Sequence, residues 1–139
     1  MRLVILMLIC TISAKGQVLQ NPHTAFAQAA QTGKKIMLVF SGSDWCIPCI
    51  QFNKKILTDS TFLHFAQDNL VILEADFPQR KKIASPLRTQ YDSLAAAFNP
   101  KGSFPQVVLL SPEKKLMANV PYQQETTAGF ISTLKHLMQ

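Results

Sequence analysis

Glycine is scarce in this chain, five in 139 residues. Gly33, Gly42, Gly102 and Gly129 stand far apart, so no glycine-rich loop is present to cradle a phosphate. Acidic residues are also few, eight against fourteen Lys and Arg, for a formal charge of +6. That excess does not imply nucleic acid. Arg2 and Lys15 flank an apolar start, and without them the charge falls to +4. The remainder lie mostly in pairs and one triplet (Lys34 and Lys35, Lys54 and Lys55, Arg80 to Lys82, Lys114 and Lys115) without interleaved aromatics, the pattern of a solvated surface. His23, His64 and His136 are too widely spaced to complete a zinc site with a cysteine pair. Internal repeats and low-complexity tracts are missing too. What is there, 47% hydrophobic and 16% charged residues, suits one folded domain and excludes a multidomain enzyme.

The first segment has the composition of an address. Arg2 supplies a positive start, Leu3 to Ile12 is an apolar stretch of ten residues, and Ala14-Lys15-Gly16 puts small residues where signal peptidase reads them. The spacing predicts a signal peptide over residues 1–16, cleaved before Gln17, and a mature domain over residues 17–139. Ten apolar residues are too few to cross a bilayer as a helix, which takes about 20, so no membrane span is expected in the mature chain. Cys10 is not a lipidation site on this reading, because Ile9 precedes it where a small residue is needed. An uncleaved anchor is the alternative.

With Cys10 set aside, two cysteines remain, Cys46 and Cys49, in the run Trp45-Cys46-Ile47-Pro48-Cys49. A disulfide between them would close too short a loop to stabilise the fold much, since loop-closure entropy grows with loop length. The pair is therefore read as chemical and not structural.

Local patterns place it. Asn21 followed by Pro22 starts a helix with Ala25, Phe26, Ala29 and Ala30 on one face, and Gly33 stops it. Lys35 to Phe40 is a buried strand, because Ile36 to Phe40 is an unbroken apolar run of strand length. A helix beginning at the cysteines carries Ile50, Phe52, Ile56 and Leu57, and another carries Phe62, Leu63, Phe65 and Ala66. Leu70 to Ala75 is a second buried strand, closing a βαβ unit. After a polar, basic stretch from Gln79 to Ser85, Pro86 opens a helix through Tyr91 and Phe98. Val107 to Leu110 and Leu116 to Tyr122 form a hairpin, and Thr126 or Thr127 caps a last helix bearing Phe130, Ile131 and Leu134. Asp44 and Asp76 are placed in loops.

This order of elements, with Trp-Cys-Ile-Pro-Cys after the first strand, resembles the thioredoxin superfamily, and the likeness runs from about Pro22 to Met138. It is nearest in flavour to exported, periplasmic reductase modules. The resemblance implies an α/β thioredoxin fold, a central mixed sheet of four strands, with a fifth as the alternative, flanked by helices. It also implies that Phe104-Pro105 is the family's cis bond facing the cysteines; unaided sequence gives only about 5 to 6% for such a bond. The backbone of Phe104 would then pair with an extended client segment. One departure stands out: the buried Asp that typical members carry six positions before the first cysteine is here Phe40. Glu74, at the end of the second strand, is the candidate proton carrier in its place, since burial would raise its pKa. A strand-end Glu reaching solvent is the plainer alternative.

The chemistry needs these residues where they are. Cys46, at the start of a helix, has its thiolate stabilised by free backbone N–H groups, and is the expected nucleophile. Cys49, one turn in, is the expected buried partner that resolves the mixed disulfide. Pro48 fits a first turn, where its missing N–H had no partner, and Trp45 is a supporting residue beside the sulfurs. The expected function is an exported thiol-disulfide oxidoreductase, periplasmic or secreted and monomeric, that reduces disulfides of client proteins. It would use no cofactor beyond the Cys46 and Cys49 disulfide, bind no metal, and be recharged by a membrane thiol relay. The alternative is a thiol-based copper chaperone or a non-catalytic docking module on the same fold.

Overall fold

The structure, a computed structural model, describes residues 17–139; the expected signal peptide and Cys10 lie outside the described residues. The chain runs β1 (Val18–Leu19), α1 (Pro22–Thr32), β2 (Lys35–Ser41), α2 (Ile47–Phe52) continuing through a π-helical turn (Asn53–Leu57), α3 (Ser60–Asn69), β3 (Leu70–Asp76), α4 (Ser85–Phe98), β4 (Gln106–Leu110), β5 (Leu116–Val120) and α5 (Thr127–Leu137). Five strands form one mixed sheet in the order β1-β3-β2-β4-β5. The first three are mutually parallel, β4 runs antiparallel to β2, and β5 antiparallel to β4. This is the thioredoxin fold, with the fifth strand present.

The helix ends follow local chemistry. Asn21 Oδ1 accepts the N–H of Thr24 at 3.1 Å, Pro22 occupies the first turn, and Gly33 ends α1 at φ 70°, left-handed backbone that suits glycine. Asp59 caps α3 and Thr126 caps α5 in the same way. Of the two threonines, Thr126 is the cap because its Oγ1 accepts the N–H of Gly129. Strand β5 stops at Val120, short of Tyr122, because Pro121 has no N–H to give to a ladder.

Strands β2 and β3 read as continuous apolar runs because both faces of the sheet are covered. On one face Met37, Val39, Leu70 and Ile72 pack with Phe52, Ile56, Phe62, Phe130 and Leu134 from α2, its π turn, α3 and α5. On the other, Ile36, Leu38, Phe40, Val71, Leu73 and Ala75 pack with Ala25 and Ala29 of α1 and Tyr91 and Leu94 of α4. Phe40 is thus core on the α1 and α4 face. Because side chains alternate along a strand, Ser41, Glu74 and Asp76 fall on the other face, the one that carries the cysteines' helix.

Candidate functional site

Strand β2 ends at Ser41, and Gly42 to Trp45 turn the chain into α2. Gly42 O accepts the N–H of Trp45 at 3.3 Å and that of Cys46 at 2.9 Å. Glycine is required here: a Cβ on residue 42 would fall inside the Trp45 indole. Cys46 is the N-cap of α2, Pro48 lies in its first turn, and Cys46 Sγ accepts the N–H of Cys49 at 3.3 Å. The two cysteines are joined by a disulfide, their Cα atoms 5.2 Å apart. Both are buried, Cys46 at 5% exposure and Cys49 at 2%. Beside them Trp45, at 37%, and Ile47, at 67%, present apolar surface to solvent.

The Phe104–Pro105 peptide bond is cis. Phe104 meets the Trp45 ring edge-on at 5.4 Å and that of Phe77 at 5.7 Å. Trp45 is oriented by its Nε1, which donates to Phe77 O at 2.7 Å. Pro105 opens onto a shallow groove shared with Gln106, Asn119, Pro121 and Tyr122. The sequence-predicted residues Trp45, Cys46, Pro48, Cys49, Phe104 and Pro105 therefore come together, from the head of α2 and the loop before β4.

Glu74 does not reach solvent. It is 7% exposed and lines a recess of about 190 Å³ with Cys49, Ser41, Ser43, Asn53 and Lys54. Burial pushes its carboxyl above the ordinary range, the neighbouring Asp76 charge adds to this, and hydrogen bonds from Ser41 and Gln20 oppose it. The same carboxylates, after burial, help to hold the Tyr91 phenol up at about 12; its hydroxyl donates to Gln20 O at 2.6 Å.

Asp76 corrects the sequence reading. It is not a loop residue but the last residue of β3, buried opposite Ser41. Its carboxylate takes the N–H of Ser43 at 2.8 Å and the Ser43 hydroxyl at 2.5 Å, partners that satisfy a buried charge. The detectable signal was its spacing, two residues from Glu74 and therefore on the same strand face. Asp44 does lie in a loop, yet both its oxygens are used: Gln79 N donates at 2.9 Å and Arg80 N at 2.8 Å. The Gln79 bond is the chief cause that holds its carboxyl below the ordinary range. Phe77 N donates to Ser41 O at 2.8 Å. The loop bearing the cysteines and the loop after β3 are thus stitched together along their length.

Ser43→Ala should lower stability by about 1.5 kcal/mol, the worth of one hydrogen bond to a charged group. Thermal melts of the two proteins check this, and equal melting temperatures would show that the Asp76 contact contributes nothing.

Among the described residues no group of three or more His, Cys, Asp or Glu side chains could hold a metal ion, and no helix is long and apolar enough to cross a membrane.

Comparison with known proteins agrees with this geometry. A family model described as thioredoxin-like matches residues 17–112. The chain is 34% identical over 115 residues to the disulfide bond reductase DsbH of Chlamydia pneumoniae, covering 83% of this chain and 69% of that one. It is 25% identical over 122 residues to the thioredoxin-related protein DsbJ of the same organism, covering 84% of this chain but only 35% of that relative. Among solved structures, a DsbH oxidoreductase superposes with a TM-score of 0.82 at 32% identity, over 91% of this chain and 86% of that one. A thioredoxin from Thermus thermophilus reaches 0.65 at 18% identity, over 90% and 88% of the two chains, a likeness of fold alone.

Proposed function

The chain belongs to the thioredoxin-like family, and on that premise we propose that it is an exported reductase of client-protein disulfides working through Cys46 and Cys49. It is a thiol-disulfide oxidoreductase; the direction, the clients and the export are the proposal. The observation that carries it is the Cys46–Cys49 disulfide at the head of α2, with an exposed apolar collar and a cis-proline bond beside it. The likeness to a protein named as a disulfide bond reductase favours reduction.

In the reduced form, the Cys46 thiolate attacks one sulfur of the client disulfide. A Cys46–client S–S bond forms, and the other client sulfur leaves as a thiolate. Cys49 then loses its proton to Glu74 across the recess they share and attacks Cys46 Sγ. The internal disulfide forms, and the client's second sulfur departs with its electron pair. Two electrons pass to the client, and the protein ends in the oxidised state described above. Trp45 and Ile47 supply the apolar contact, and Phe104 offers backbone groups to an extended client strand. A dithiol donor must reduce the disulfide again. In an oxidising compartment that donor is a membrane thiol relay, and residues 1–16 are the export signal, removed before Gln17, leaving residues 17–139 as a single domain.

Equilibration in defined thiol and disulfide buffers, followed by Trp45 fluorescence, tests the direction. A reversible two-electron couple between about −270 and −200 mV is expected of a reductase. A couple near −120 mV would make the protein an oxidant, and the lack of any reversible couple would overturn the exchange reading.

A further inference from the structure

The loop after β3 carries a feature that the exchange chemistry leaves unused. Arg80, Lys81 and Lys82 are consecutive and exposed, and among the described residues none of the three takes part in an ion pair, the one ion pair being Arg88 with Asp92. The carboxylate nearest to them in the hydrogen-bond pattern, Asp44, has one oxygen on Gln79 N and the other on Arg80 N. It holds the loop through backbone groups; the Arg80 and Lys81 charges also help to hold its carboxyl low, yet neither exposed side chain closes an ion pair with it. The other carboxylates on this side, Glu74 and Asp76, are buried behind the disulfide. Like charges crowded on one loop repel one another, and beyond the longer-range attraction of Asp44 for Arg80 and Lys81 and of Glu74 for Lys81, no ion pair among the described residues offsets that repulsion.

Its position is fixed with respect to the sulfurs. Trp45, next in sequence to Cys46, donates its indole N–H to Phe77 O, and Phe77 also touches Phe104, the residue before the cis proline. The segment from Phe77 to Arg80 is therefore one wall of the site and does not wave free of it. On the opposite flank, the groove residues Pro105, Gln106, Asn119, Pro121 and Tyr122 carry no charge. The site is cationic on the Trp45 side, whereas the groove past Pro105 has an uncharged lining with the Glu125 carboxylate near its Tyr122 end.

We propose that Arg80, Lys81 and Lys82 form a docking rim for an acidic segment of the client protein next to its reactive cysteine. This rests on the reading that the disulfide exchanges with client proteins, and adds what those clients carry: Asp or Glu on the side of the cysteine that lies over Trp45. Rim charges of this kind act through solvent, so they raise encounter rate and affinity and lose their effect in salt.

The test uses two peptides of equal length, each with Ser in place of the reactive Cys, one flanked by Asp and Glu and the other by Asn and Gln. Binding to the oxidised protein is read by the fluorescence of Trp45, the single tryptophan. The acidic peptide should bind about tenfold tighter at low salt, with the preference shrinking at high salt. In the variant carrying Arg80→Glu, Lys81→Glu and Lys82→Glu, and in a second with Gln at all three positions, the two affinities should come within about twofold. Equal binding of both peptides to the native protein, or a preference that survives both variants, overturns the rim. Capture on phosphatidylserine vesicles with no preference between peptides would likewise overturn it in favour of a lipid surface. Because Ser peptides cannot exchange, a failed redox couple leaves this result standing, and a sound couple without an acidic preference sinks the rim alone.

Discussion

Cys46→Ser should cut exchange with a peptide disulfide by about 10³-fold or more, as loss of a nucleophile does, whereas Cys49→Ser should still make the first attack and then stop. The two sulfurs are nearly equally buried, so exposure does not separate them; position does. Cys46 is the N-cap, outside the helix, between the exposed Trp45 and Ile47. Its sulfur accepts the N–H of Cys49, a bond that strengthens when the acceptor becomes a thiolate. Cys49 sits inside the first turn and lines the recess behind. Mass spectrometry of the Cys49→Ser protein mixed with a peptide disulfide should find a stable adduct at Cys46. Multiple turnovers by that variant, or retained activity in Cys46→Ser, would overturn the assignment.

The second large effect is expected at Glu74. In Glu74→Gln the closing step, attack of Cys49 on the mixed disulfide, should slow on the order of 10²-fold near neutral pH, the typical loss when a proton acceptor is removed. Raising the pH should restore the rate, because hydroxide then takes the Cys49 proton directly. A merely structural role would give a deficit that does not change with pH, and that outcome would remove Glu74 from the mechanism. Stability supplies an independent reading. The native carboxyl of Glu74 titrates above its unfolded value, chiefly because burial disfavours its charge and then because Asp76 is near. The unfolded chain therefore ionises first as pH rises, and stability falls across the window between the ordinary carboxylate value and the raised native one. Glutamine has no such titration. The variant should match the native protein at low pH and be the more stable of the two above that window, as thermal melts at a series of pH values would show.

Much of this was legible in the chain. Buried strands announce themselves as unbroken apolar runs, and Asn21-Pro22 and Gly33 mark helix ends, because the physics is local. The redox pair was legible because three-residue spacing on a helix start has few other uses. Four features were not. Strand β1 is two residues long and owes its existence to pairing with β3, so Val18 and Leu19 show no pattern of their own. Asp76 looked like a loop residue because aspartate disfavours strands; its depth depends on Ser43, 33 positions away. The π turn after α2 has no pattern of its own; Thr58 bonds back to Asn53 O and Lys54 O, and Lys55 O accepts the Thr127 hydroxyl of α5 at 3.0 Å. The cis bond before Pro105 is present, but only the family likeness pointed to it. For β1 and Asp76 the deciding contact is distant in sequence.

Strand β2 is hydrogen-bonded along both edges, to β3 from Lys35 through Ser41 and to β4 from Ile36 through Phe40. A strand so placed cannot fray by itself; releasing its amides to solvent means parting the sheet on two sides at once, which is the global unfolding event and not a local one. The cysteines hang from the end of this last-opening unit. On the function proposed above, slack is then better supplied by the other molecule: a client whose disulfide lies in a loose stretch would lay its backbone along the cis-proline edge more readily than a tightly folded one. A reductase of client disulfides built on this base would sort its clients by how loosely they are made.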